Sequence, residues 1–287
     1  MRLAHALVLL AAVVGCGSSG DDDTAASSAA SSSSGGSTGG AGGGGGGGSD
    51  ACEASAAPDV PDVTGKWAYY EVTSRLVVIP GFADPFHTAV VSLLLVDQTQ
   101  QGSEVTFAAE YCDHYSEDPD LVVHVVIPEA YTAALPPFTR TGSYTKDGEA
   151  WRYSLSKHWQ VEGAMLDDIA TDPLPTTPDD AQVVDQDADG KPAMTLRLTG
   201  LVDGEIYVVQ RGWTEALGGP QAADELRGAV TFESEQIIVQ SDPDNLKELA
   251  TQATTDATPC ASYFRMKRVA DDADCALLKE SFATLFP

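Results

Sequence analysis

The chain has 287 residues, 43% of them hydrophobic, with 43 Asp and Glu against 16 Lys and Arg, a formal net charge of −27 at pH 7. So acidic a balance excludes nucleic acid and anionic lipid surfaces as electrostatic partners. It reads otherwise as solubility or as an affinity for cations. The length permits one large all-β unit, and the elements below point to a single domain over residues 51–287.

Arg2 supplies a minimal positive start, and residues 3–14 are apolar apart from His5. That is far short of the roughly 20 residues a membrane-spanning helix needs, so residues 1–15 read as a signal peptide. Val13-Val14-Gly15-Cys16 resembles the lipobox of bacterial lipoproteins, in which the cysteine is lipidated and becomes the first residue of the mature chain. An ordinary secretory signal with an incidental cysteine is the alternative. The resemblance implies a lipid on Cys16 and a domain held outside the cytoplasm. With Gly17 rather than aspartate after the cysteine, it also implies sorting to the outer membrane in a double-membraned host, or to the outer face of the cell membrane in a host with one. Residues 17–50 are almost wholly Gly, Ser, Ala, Thr and Asp, a composition that buries too little apolar area to offset the entropy of ordering. Residues 16–50 are therefore expected to be a lipidated, disordered tether with an end-to-end distance of roughly 30 Å.

From there the chain alternates with period two. In Glu104 to Tyr111 the residues Val105, Phe107, Ala109 and Tyr111 share a face, as expected of a half-buried strand. The same holds for Trp151, Tyr153 and Leu155, and for Met194, Leu196 and Leu198. Further strands are expected at residues 66–72, 75–79, 88–96, 121–127, 206–211, 229–239 and 262–269. Gln100-Gln101-Gly102-Ser103, Lys146-Asp147-Gly148-Glu149 and Val202-Asp203-Gly204-Glu205 carry hairpin-turn signals. One helix is expected from an N-cap at Asp242, with Pro243 at its first position, to about Thr251. Another is expected over 272–285, where Leu278, Phe282 and Leu285 share a face. About ten antiparallel strands with short turns predict a mainly β fold, an antiparallel meander forming an up-and-down β-barrel with a short helix and a C-terminal helix; a two-sheet β-sandwich is the alternative.

Gly65-Lys66-Trp67 resembles the G-x-W signature that opens the first strand of lipocalins. The resemblance implies a tryptophan plugging the closed end of a barrel, with a late arginine, Arg265 or Arg268, packed over it. A core tryptophan on any first strand is the alternative.

With Cys16 assigned to the lipid, Cys52, Cys112, Cys260 and Cys275 remain, an even number suited to two disulfides in an oxidising compartment. Three connectivities are open, and the pairs Cys52 with Cys112 and Cys260 with Cys275 are favoured. A zinc site competes, but the cysteines lack close C-x2-4-C spacing.

Asp185-Gln186-Asp187-Ala188-Asp189-Gly190 places carboxylates at alternate positions before a glycine and resembles the start of calcium loops in EF-hand and dockerin-like modules. The resemblance implies Ca2+ held by Asp185, Asp187 and Asp189 through side chains and by Lys191 through its carbonyl. Leu196 stands where an EF-hand has its bidentate glutamate, so an EF-hand is excluded. Asp179, Asp180 or Glu205 would have to complete the shell, and a metal-free acidic turn is the alternative.

Asp113, His114, Glu117, Asp118 and Asp120 read as a solvated loop after Cys112, with a metal or acid/base cluster as the competing reading. His124 sits in an apolar run and reads as interior, while His87 and His158 are isolated. The domain at 51–287 carries no G-x-S-x-G, H-E-x-x-H or P-loop motif. These residues favour a non-enzymatic surface lipoprotein whose tethered β domain binds a small apolar ligand or a partner protein, with the membrane reached through the N-terminal lipid. A membrane-displayed hydrolase or metal-dependent enzyme is the second reading, and a structural envelope component without a ligand pocket the third.

Overall fold

A computed structural model describes Cys52 and residues 59–78, 85–249 and 252–287. The signal peptide, Cys16 and the tether lie outside the described residues. The elements are β1 (Gly65–Val78), β2 (Phe86–Gln101), β3 (Glu104–Glu117), β4 (Val123–Val126), α1 (Glu129–Ala134), β5 (Phe138–Asp147), β6 (Ala150–Glu162), β7 (Met194–Gly200), β8 (Gly204–Ala222), β9 (Glu225–Asp242), a 3-10 helix (Asp244–Leu249), β10 (Gln252–Thr255), β11 (Tyr263–Arg268) and α2 (Cys275–Leu285).

The protein is mainly β and antiparallel. Eight strands pair in the order β1-β2-β3-β5-β6-β8-β9-β11, and β11 returns to β1. The result is a closed ring, irregular rather than a regular barrel. β7 pairs the start of β8 and carries β4 on its other side, while β10 pairs the end of β1. Beside that end the ring has a seam: β9 leaves β11 after Ala229, and β1 is paired with β10 from Arg75 onward.

Closure dictates which side chains are interior, because successive residues of a strand point to opposite faces. On β1 the inward residues are Trp67 and Tyr69, then Glu71, Thr73 and Arg75. The first two join Leu94, Val96, Val105, Phe107, Tyr144, Tyr153, Phe264 and Met266 in a core that fills one half of the ring. Glu71, Thr73 and Arg75 face a cavity in the other half. Outward, Ala68 and Tyr70 pack with Leu93, Leu95, Leu278 and Phe282 beneath α2, whose N-cap Asp274 accepts from the Leu277 N–H at 2.8 Å. The expected helical face at Leu278, Phe282 and Leu285 is the one that packs.

At the filled end Trp67 is fully buried, donates from Nε1 to the Val63 carbonyl at 3.0 Å, and has the Arg268 guanidinium 4.4 Å from its ring centroid. Arg268 also donates to the carbonyls of Asp62 and Thr64. Gly65, at φ +137°, lies against that guanidinium, and a Cβ there would run into it. Of the two arginines expected near Trp67, Arg268 is the one that packs on it. Arg265 lies over Phe286 instead.

The structure corrects several expectations. The disulfides are Cys52–Cys260 and Cys112–Cys275, not the sequence-adjacent pairs. Cys112 faces outward on β3 toward the start of α2, and this brings it to Cys275 rather than to Cys52. The helix expected from Asp242 is only the 3-10 helix Asp244–Leu249, because β9 runs on through Asp242 and pairs there with Glu205. Asp203-Gly204 makes no tight turn. Gly204 opens β8, and the positive φ sits at Gly200, whose N–H donates to the Asp203 carboxylate. The turn at Gly148, φ +63°, stands as expected between Asp147 and Ala150.

Candidate functional site

The open half of the ring encloses a cavity of about 170 Å³. Two β-bulges determine its wall. On β3, Tyr111 pairs with Leu94 and Asp113 with Leu93, which leaves Cys112 as an extra residue. An extra residue inverts the alternation beyond it. The inward series Val105, Phe107, Ala109, Tyr111 therefore continues as His114 and Ser116. On β6 the register slips between Leu155 and His158, so Tyr153 and Leu155 are followed inward by His158, Gln160 and Glu162. Both bulges turn polar side chains into the ring.

Besides Tyr111 and Tyr131, the ionisable groups of the wall are Glu71, Arg75, His114, Asp118 and Glu162, with Glu233 on the outward face of β9 at the seam. Tyr69 donates to Glu71 Oε2 and Tyr131 to Glu162 Oε2, each at 2.6 Å. Burial raises both carboxyls above their ordinary value of 4.5, opposed by Arg140 at Glu71 and by the Tyr131 bond and Arg75 at Glu162. Among the described residues neither carboxylate is in an ion pair. Arg75 spans the seam, donating from Nη2 to Ser234 Oγ at 2.6 Å, while its buried Nε has no partner. A second hollow of about 540 Å³ lies at the seam and shares Arg75, Gly212, Trp213, Glu233, Ser234, Gln236 and Ala253 with the first. Those shared residues join the interior cavity to the outer groove.

Ser92 Oγ and His114 Nδ1 are 3.0 Å apart in the same wall. Burial pulls His114 down to about 4, and among the described residues no carboxylate holds its ring as a triad requires.

Other candidates fall elsewhere. The residues after Cys112 are not a solvated loop: the bulge turns His114 inward, and Asp118 is buried, accepting from Val125 N at 2.8 Å and bonding His124 Nδ1 at 2.8 Å. His124 is correspondingly half exposed at the edge strand β4 and not in the interior. His87 is exposed and contacts Asp256 at 3.1 Å. His158 stacks on Phe138, with ring centroids 4.4 Å apart.

Asp185, Asp187 and Asp189 do converge, with one carboxylate oxygen from each within 4.8 Å of the others. Their remaining bonds are to the loop itself and to Thr195 at the start of β7. Asp185 accepts from the N–H groups of Asp189 and Gly190, Asp187 from Thr195 N, and Asp189 from Lys191 N and Thr195 Oγ1. Asp187 Oδ1 is buried with no partner, and burial raises that carboxyl. Among the described residues Asp179, Asp180 and Glu205 do not join the group. Asp180 caps its own turn at Gln182, and Glu205 accepts from Tyr207. The Lys191 ammonium lies over the Tyr207 ring at 5.4 Å.

Against known proteins, no family model, no curated protein and no solved structure matches the chain.

The unpaired acids of the cavity fix a pH dependence. Below 4.5 the Glu71 and Glu162 carboxyls are protonated in both folded and unfolded chains. As pH rises past 4.5 the unfolded chain ionises first, so stability falls until the folded groups ionise as well. The double variant Glu71→Gln, Glu162→Gln keeps acceptors for both tyrosines and removes that loss. By circular dichroism it should melt about 3 °C or more above wild type at pH 7, with the gap closing toward pH 4.5. A gap independent of pH would contradict this reading.

Proposed function

We propose that the protein is a non-enzymatic surface lipoprotein whose ring domain binds a small molecule in its open half. The observation that carries this is the cavity itself. One half of the ring is packed solid, while the other is left hollow and walled by Glu71, Arg75, His114 and Glu162, polar groups that a purely structural ring would replace with apolar filling. The eight-stranded ring, the Arg268 guanidinium over Trp67 and the C-terminal helix α2 support the lipocalin-like reading of Gly65-Lys66-Trp67. The mixed wall favours a ligand that is part apolar and part polar over a wholly apolar one. The Ser92–His114 pair, without an orienting carboxylate, gives the hydrolase reading no support.

A second reading concerns calcium. The unpartnered Asp187 Oδ1 inside the Asp185, Asp187, Asp189 group supports a cation there. On this reading the affinity is weak, on the order of 10⁻⁴ to 10⁻³ M, as in extracellular sites.

Three outcomes test these readings. The neutral dye N-phenyl-1-naphthylamine should brighten and saturate with the wild-type protein, and Val90→Trp, which fills the cavity, should abolish the response. Equal brightening of both would place the dye outside the ring.

The lipobox reading predicts that Cys16→Ser loses lipid labelling and membrane association, because one anchor is then gone and the acidic domain has no affinity of its own for anionic lipid. A variant that still sediments with membranes and is released by detergent would overturn the anchor.

Calcium at ten times its Kd should stabilise the folded state by about 1.4 kcal/mol, a rise of a few degrees in Tm. Magnesium should do less, and Asp187→Ala with Asp189→Ala should remove the calcium effect. The same rise in the double variant would show screening of net charge only.

A further inference from the structure

We propose that the cavity takes a small organic cation, an ammonium group carried on an apolar body, with Glu71 and Glu162 as its counter-charges. The inference rests on the ligand-binding reading and names the chemical class of the ligand. The wall carries the carboxyl groups of Glu71, Asp118 and Glu162 and the guanidinium of Arg75, and the buried guanidinium of Arg140 on β5 acts on Glu71 at longer range. His114 adds no positive charge at neutral pH, since burial pulls it down to about 4.

The acids are not equally free. Asp118 is occupied by Val125 N and His124, and Glu233, on the outward face of β9, accepts from Trp213 Nε1 at 3.1 Å. Glu71 and Glu162 each hold one tyrosine hydroxyl, and among the described residues no cation pairs with either directly, Arg140 and Arg75 acting on them only at longer range. Two buried carboxylates without a direct ion pair are costly, and an ammonium between them supplies the contact that Arg75 and Arg140 do not make. Tyr111 and Tyr131 stand in the same wall, and Tyr131 is bonded to Glu162. They offer the aromatic surface that ammonium groups favour. Arg75 does not reverse this preference. Its unpartnered Nε is shut off from the cavity space, and its Nη2 is engaged by Ser234. At a net charge of −27 the whole molecule attracts cations to the cavity and repels anions from it.

The test is a matched series of naphthylmethyl probes, one ending in trimethylammonium, one in a neutral hydroxyl and one in a carboxylate, titrated calorimetrically into the full chain. The cation should bind at least tenfold tighter than the alcohol, and the carboxylate weakest of the three. Glu71→Gln and Glu162→Gln, tested separately, should each weaken the cation fivefold or more and leave the alcohol unchanged. The alcohol thereby reports that each variant is folded. Equal affinities for cation and alcohol, tighter binding of the carboxylate, or indifference of the cation to both substitutions overturns the inference while the ligand-binding reading stands. Failure of all three probes to bind overturns both.

Discussion

A strand hydrogen-bonded on both sides cannot choose which of its side chains go indoors. β1, β2, β8 and β11 have this condition along most of their length, so the interior is composed by counting residues rather than by hydropathy. β1 illustrates the consequence. Its inward series begins with Trp67 and Tyr69, which any core would accept, and the same count then delivers Glu71, Thr73 and Arg75. The backbone pairing that buries the first two obliges the others to follow. Residues that would rather be hydrated are held inside, and the space around them stays open because they do not pack into a dry core.

The charged half is tolerable because the filled half is well made. Trp67, Tyr69, Phe107, Tyr153, Phe264 and Met266 are each at most 1% exposed, and Arg268 seals the end over Trp67 while tying down the carbonyls of Asp62 and Thr64. Large buried aromatics contribute most per residue to such a core. Around the outside, α2 covers β2 and β3, and residues 163–193 cross the outer faces of β8 and β9 through Leu174, Val183 and Ala193. The ring is thus braced from without, and its unpaired interior acids are a local burden on an otherwise satisfied structure.

Much of the architecture was legible in the sequence. The alternations at Glu104 to Tyr111, Trp151 to Leu155 and Met194 to Leu198 each became a strand with the expected face inward. The helical face at Leu278, Phe282 and Leu285, and the Gly65-Lys66-Trp67 opening, also read directly. The cavity did not. Continued at period two, β3 would have turned Asp113 and Tyr115 inward; the bulge at Cys112 turned His114 and Ser116 inward instead, and the slip on β6 did the same for Gln160 and Glu162. A bulge has no reliable signature in a single sequence. β5 escaped notice for a related reason. Its inward residues are Phe138, Arg140, Gly142 and Tyr144, and a buried arginine set over Phe107 at 5.0 Å interrupts the apolar pattern. The disulfide pairing was illegible because it depends on which ends the closed ring brings together, not on distance along the chain.

The Cys52–Cys260 bridge has a mechanical meaning. The chain preceding Cys52 enters the domain at a covalent link to the segment between β10 and β11, 208 positions away in sequence. A pull on the N-terminal side is therefore shared with the C-terminal third of the molecule before it reaches β1 at Gly65. Since β1 is the strand that carries Trp67, Glu71 and Arg75, it does not bear such a pull alone: part of the force enters through Cys260, between the two strands β10 and β11 that pair with β1.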